Sequence, residues 1–225
     1  MEYNSTVSLP SCGKLGYPEE ISLRPLRVDE IKKFSALLSD NPAAKLSELL
    51  RDLSDIADPD MLSQGDREHL ILQIRVASGL GVIDVMYNCS SCGYENGKAS
   101  VDLETIPVKQ LEVEPYETLT VKDYTIDVRP VLGKDELLAY RLKKVFPKVD
   151  ETYLTLLVTQ VDQEAGMEAI TAKLRELVAK PAGYALALEK ELLTRIHGPI
   201  WGEATFACKE CSASIPFPAG YIFSI

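Results

Sequence analysis

Cys89-Ser90-Ser91-Cys92-Gly93 is answered far down the chain by Cys208-Lys209-Glu210-Cys211. Each is a CxxC pair. The tight turn between the two cysteines lets both sulfurs point at one ion, and two such knuckles supply the four thiolates of a closed, tetrahedral zinc site. The flanks read as strands. Val82-Ile83-Asp84-Val85-Met86-Tyr87 runs into the first knuckle and Ala204-Thr205-Phe206-Ala207 into the second. Strand, knuckle, strand is the pattern of a zinc ribbon, so Cys89, Cys92, Cys208 and Cys211 are expected to hold one structural zinc. Gly93 suits the place after a knuckle, where a permissive backbone is often needed. Ser212 at the matching place makes the second knuckle the less typical one. Two rival readings are weaker. A redox CxxC usually precedes a helix in a thioredoxin-like βαβ unit, and neither pair does. Disulfides call for an oxidising compartment, and no secretory leader pattern opens the sequence. The fifth cysteine, Cys12, has no CxxC partner and reads as a plain reduced thiol.

The rest of the composition sets bounds. A chain of 225 residues with 46% hydrophobic and 26% charged residues is ordinary globular material. It is long enough to bury a core without staples, so a zinc site would brace one part and need not hold up the whole. The formal net charge is −10, which disfavours phosphate backbones and anionic membrane surfaces. No apolar run approaches a membrane span.

In chain order, residues 1–27 read as an extended N-terminal arm: turn chemistry at Leu9-Pro10-Ser11-Cys12-Gly13 and Gly16-Tyr17-Pro18, then a short strand ending at Arg24-Pro25. It is either laid on the surface or free to join a neighbour's sheet. Residues 28–81 are helical. Asp29 is a candidate cap for a helix to about Leu38. Leu46, Leu49, Leu50, Leu53 and Ile56 mark one buried face after Asn41-Pro42. Ser63 with Asp66 three residues on opens a core helix that Gly79 and Gly81 stop. The ribbon takes 82–113 plus 198–225. Between its halves, residues 114–197 form an inserted hairpin and helical bundle. Its stripes are Leu138/Leu142/Val145/Phe146, Leu154/Leu157/Val158/Val161, Met167/Ile170/Leu174/Leu177/Val178 and Ala185/Leu188/Leu192/Ile196. The fold class is thus α+β, a helical N-terminal layer and a helical insertion built around a four-cysteine ribbon. A faint internal echo links Ile21-Ser22-Leu23-Arg24-Pro25 before Asp29-Glu30 with Ile126-Asp127-Val128-Arg129-Pro130 before Asp135-Glu136. Coincidence and duplication explain so short a match equally well.

Catalytic chemistry is hard to find. His69 sits in Asp66-Arg67-Glu68-His69, which reads as a solvated first turn, and His197 stands at a helix end before Gly198-Pro199. Neither has a nucleophile or metal-ligand companion at useful spacing. Gly13-Lys14-Leu15-Gly16 is too short for a P-loop. No catalytic residue, cofactor-binding residue or small-molecule substrate is expected. Nucleic acid is the usual target of many ribbons, so the ribbon's charge matters. It carries Asp84, Glu95, Asp102, Glu104, Glu112, Glu203 and Glu210 against Lys98, Lys109 and Lys209, the opposite of what phosphate binding needs. The basic cluster Arg141, Lys143, Lys144 and Lys148 is either a solvated helix face or a dock for an acidic partner. The apolar, proline-broken stretch 215–225 either packs on its own core or awaits another protein.

Leu9-Pro10-Ser11-x-Gly13, Gly16-Tyr17-Pro18 and Ile21-x-Leu23-Arg24-Pro25-Leu26 resemble the opening of the baseplate hub assembly proteins of contractile-tailed, T-even-like bacteriophages. Gly65-Asp66-Arg67-Glu68-x-Leu70, Tyr87-x-Cys89-x-x-Cys92-Gly93 and Val101-Asp102-Leu103 are similar to the same family. The resemblance covers about residues 8–113. It implies a non-enzymatic hub component or hub assembly factor, working through contacts with hub or wedge proteins in the virion baseplate or in the host cytoplasm during assembly. A zinc-ribbon adaptor in transcription or nucleic-acid handling is the alternative.

Overall fold

A computed structural model of the chain describes residues 5–32, 41–121 and 123–218. Residues 5–27 are not an extended arm. Strands β1 (Ser5–Ser8) and β2 (Glu20–Leu23) pair antiparallel, Val7 opposite Ile21. Leu9, Ile21 and Leu23 are buried in the main core. Their side chains gain more from that burial than from lying along a surface. Arg24 and Pro25 end the hairpin as expected, but Asp29 does not cap. It lies inside a single 3-10 turn at Val28–Glu30, and Glu30 closes the turn by accepting from the Arg27 N–H. Ile31 and Lys32 go on as helix, and the rest of the predicted helix to Leu38 falls outside the described residues.

Helix α1 (Pro42–Leu53) is capped by Asn41, whose side chain accepts from Ala44 N, with Pro42 where its missing N–H costs nothing. Leu49, Leu50 and Leu53 face inward. Helix α2 (Gln64–Ala77) starts at Ser63, whose Oγ accepts from Asp66 N, and runs through the centre of the core with Leu70, Ile71 and Ile74 fully buried. Gly79, at φ +72°, ends it, and Leu80 N bonds back to Arg75 O.

Strands β3 (Val82–Tyr87) and β4 (Gly97–Asp102) then form a hairpin across the first knuckle. Ile83, Val85 and Tyr87 point inward and Val82, Asp84 and Met86 outward, the period-two alternation of a half-buried strand. The extended piece expected at 108–113 is shorter. Only β5 (Val108–Lys109) is a strand, and it pairs with β8 (Gly198–Pro199), so Gly198-Pro199 is itself part of a ladder. That pairing closes the segment between them end to end. Inside it lie β6 (Glu117–Val121) and β7 (Tyr124–Val128), with Val121 opposite Tyr124, followed by α3 (Gly133–Leu142), α4 (Glu151–Val158), α5 (Met167–Val178) and α6 (Ala182–Leu193). Finally β9 (Thr205–Ala207) and β10 (Ser214–Pro216) pair across the second knuckle.

The architecture is therefore mixed α and β. Two cores share it. One gathers residues from Leu9 to Ile106 together with Ala204 and Phe217; the other runs from Ile126 to Leu192. Some stripe residues stay out. Val145, Met167, Val178 and Ile196 are all well exposed. Each sits at a helix end or beyond it, where the face that the pattern assumes no longer exists.

Candidate metal centre

The two knuckles have the same backbone. Gly93 N donates to Cys89 O and Ser212 N to Cys208 O, each at 2.9 Å; Cys89 N donates to Tyr94 O and Cys208 N to Ala213 O, each at 2.8 Å. Gly93 sits at φ +74° and Ser212 at φ +59°. The second knuckle is thus no looser than the first. It reaches the left-handed turn with a residue that carries a Cβ.

The four sulfurs converge. All lie within 4.8 Å of one another, Cys89 Sγ 3.7 Å from Cys211 Sγ and Cys92 Sγ 3.9 Å from Cys208 Sγ. A tetrahedral ion with bonds of about 2.3 Å to sulfur has sulfur–sulfur edges of about 3.8 Å, so this donor set fits one such metal. Cys89 and Cys208 are buried, and Cys92 and Cys211 face solvent. Backbone N–H groups in the turns favour thiolate. Those of Cys211 and Glu210 help hold Cys208 down to about 6. The Tyr94 N–H pulls Cys92 the same way, but the neighbouring thiols and burial push it up to about 12. In a cluster of four thiols without a cation, negative charge gathers on some sulfurs and is refused by others.

The packing around the sulfurs ties the knuckles to each other. Tyr87, at the end of β3, packs edge-on against Phe206 of β9, and its hydroxyl accepts the Lys209 N–H of the second knuckle at 2.9 Å. The ring fits because Gly97 lies opposite. A Cβ there would come within 2.4 Å of it.

A second convergence was not legible beforehand. Asp66-Arg67-Glu68-His69 is not a solvated turn. Asp66 and Arg67 are fully buried and His69 nearly so. Burial lowers the His69 pKa, against a smaller opposing pull from Asp66. Asp66 accepts from the Ser11 N–H at 3.0 Å, from the Tyr17 hydroxyl and from Ser63 Oγ. His197, read as a helix-end cation, is buried as well. Its Nδ1 lies 2.9 Å from the Arg195 carbonyl and its Nε2 2.6 Å from Ser63 Oγ. A carbonyl only accepts, so Nδ1 carries a proton. Burial raises Asp66, but the imidazole, the Tyr17 hydroxyl and the Ser11 N–H together outweigh it and hold the carboxyl below its ordinary value. Tyr17 is pushed up by burial and by that same carboxylate. Three segments, 11–17, 63–66 and 195–198, meet here, and none can be recognised as touching the others from spacing alone. The faint signal was glycine. A Cβ on Gly65 would stand 2.1 Å from His197 O, and one on Gly198 2.5 Å from Gly65 O.

A family model described as "T4 bacteriophage base plate protein" matches residues 1–180. The chain belongs to the T4 bacteriophage base plate protein family. Membership places it among proteins of the phage tail and implies contacts with other tail proteins. No curated protein and no solved structure matches the chain. The baseplate family match covers the first knuckle and stops before Cys208 and Cys211, so the full sulfur set is a matter of this chain's geometry. Ser11, Tyr17 and Asp66, which belong to the motifs that suggested phage baseplates at the outset, are the residues that meet in the buried cluster. Among the described residues no helix is long and apolar enough to cross a membrane.

Proposed function

We propose that this baseplate protein is a non-enzymatic component or assembly factor of the baseplate hub, and that Cys89, Cys92, Cys208 and Cys211 hold one structural zinc that makes the two knuckles a ribbon. The meeting of four sulfurs from the middle and the end of the chain carries the metal reading. Family membership carries the tail role. Four protein thiolates leave no open position for a substrate, which is the signature of a structural site. The ion would weld β3–β4 to β9–β10 and so fix where the 114–197 insertion sits. On this reading the chain divides into a helical region at 28–81, a ribbon at 82–113 plus 198–225, and the insertion. The partners are hub or wedge proteins, met in the host cytoplasm during assembly or in the finished tail. The acidic ribbon speaks against the nucleic-acid alternative.

Elemental analysis of protein purified without a metal-affinity tag tests the metal. About one zinc per chain is expected, falling to a residual level in Cys208→Ser. Full-length protein free of metal, with four titratable thiols, rejects the site. Mass spectrometry of purified virions then decides between a lasting component and a transient factor.

A further inference from the structure

Between the two cores lies a cleft of about 460 Å³. Leu156 of α4, Leu193 and Ile196 at the end of α6, and Trp201 form apolar walls. Leu193 is 54% and Ile196 47% exposed, large for side chains that neighbour a core. Two carboxylates, Glu68 and Glu189, line the same space. The arginine on the lining, Arg195, is already engaged by Glu117 at 2.7 Å, and the lining histidine, His197, is turned onto Ser63 Oγ and the Arg195 carbonyl. Glu68 accepts from Trp201 Nε1 and Gln64 Nε2, but among the described residues neither carboxylate is paired with a cation, so the cleft is an apolar socket of negative charge.

The same molecule carries a shape of opposite character. At the end of α3 the exposed cations Arg141, Lys144 and Lys148 flank Val145 along the chain, itself 48% exposed. Lys143 is not part of this, since its Nζ turns back onto Val149 O. In a chain of net charge −10 this is a local concentration of positive charge with an apolar centre. The basic turn leads straight into α4, whose Thr152 and Leu156 wall the cleft. Thr152 is four positions after Lys148, a span of at most about 14 Å. Knob and socket thus adjoin on one molecule, yet the knob does not fill its own socket.

We propose that a second copy of this chain covers the cleft, the 141–148 turn of each copy entering the acidic apolar cleft of the other about a twofold axis. A self-complementary patch with adjoining knob and socket closes as a dimer under that symmetry and leaves neither half unpaired. The overall negative charge opposes association only weakly at physiological salt, where screening acts over about 8 Å, while the close opposite charges set the register. The proposal does not depend on the metal or on the hub reading.

Sedimentation velocity on the full-length, metal-containing protein tests it. Wild type should approach twice its 24.9 kDa as concentration rises. Glu189→Lys and Lys144→Glu should each weaken self-association by roughly tenfold or more. A mixture of the two variants should associate again, because each knob then meets a socket of opposite sign. Circular dichroism and zinc content on the same samples separate loss of contact from loss of fold or metal. A wild-type chain that stays monomeric, a dimer that ignores both reversals, or a mixture that fails to recover association overturns the proposal. So does a monomer whose cleft is instead filled by a different tail protein. A folded monomer with its zinc in place would leave the metal reading standing.

Discussion

Gly93 and Ser212 hold the same left-handed backbone at equivalent places in the two knuckles. A residue with a Cβ is strained there by about 1–2 kcal/mol, while glycine is not but gives up more freedom on folding. Ser212→Gly should therefore stabilise the protein by a few tenths to about 1 kcal/mol, and Gly93→Ser should cost a similar amount; denaturant titration measures both. Space is not the issue at Gly93, since an added Cβ meets nothing within 4 Å. Titration gives a second prediction at this scale. Glu30 is held at about 2, chiefly by its bidentate pair with Arg24 at 2.7 and 2.8 Å, against the opposing pull of burial. Asp66 is also lowered. A depressed carboxyl contributes stability that is complete above its unfolded pKa and is lost as pH falls toward the folded one. Glu30 thus stabilises fully above its ordinary carboxylate range and loses that contribution as pH drops from about 4.5 toward 2, and Asp66 loses its own as pH falls below the ordinary aspartate range. Tyr17→Phe should cost about 1–3 kcal/mol at neutral pH by removing a donor from the buried carboxylate, and it should move the acid-unfolding midpoint upward. An unchanged midpoint would mean that Asp66 does not depend on Tyr17.

At the scale of elements, α2 is held by its start as much as by its apolar length. Gly65 and Gly198 let the first turn of α2 lie directly on β8. Gly65→Ala forces a methyl to within 2.1 Å of the His197 carbonyl. Backbone on both sides cannot yield cheaply, so a loss of more than about 3 kcal/mol is expected. Hydrogen exchange should show the β5–β8 ladder opening before the interior of α2. The internal echo also gains substance here. Arg24 pairs with Glu30 and Arg129 with Asp135, six residues on in each case and bidentate in each case. Both guanidinium groups also donate to the carbonyl of the proline that follows, and both carboxylates accept a backbone N–H three residues back. Hairpin, Arg-Pro, then a turn or helix closed by a carboxylate is one local device used twice. Its geometry is a repeat at the level of structure, whatever produced it.

For the molecule as a whole, the two cores and the knuckles make a prediction about cooperativity. Among the described residues, the core from Ile126 to Leu192 shares no side chain with the core around α2, and the sulfur cluster lies with the latter's strands. Chelation of the proposed zinc should lower the unfolding temperature of the region holding β3, β4, β9 and β10 and leave most of the α3–α6 helical signal in place. Calorimetry with and without chelator would show one transition shifting while another stays. A single transition that moves as a unit would show the cores to be coupled more tightly than their separation suggests.

Local chemistry was enough for much of this protein. Cysteine spacing marked the four sulfurs, the runs leading into each knuckle marked β3 and β9, leucine periodicity after Asn41-Pro42 marked α1, and Ser63 with the apolar run behind it marked α2, because each depends on neighbours within a few residues. Tertiary structure alone decided that residues 5–27 contribute to a core instead of forming an arm, that Asp66 and His197 are buried partners, and that Val145 and Ile196 are left outside. Those outcomes turn on which distant segments exclude water from one another, and spacing along a chain carries no record of that.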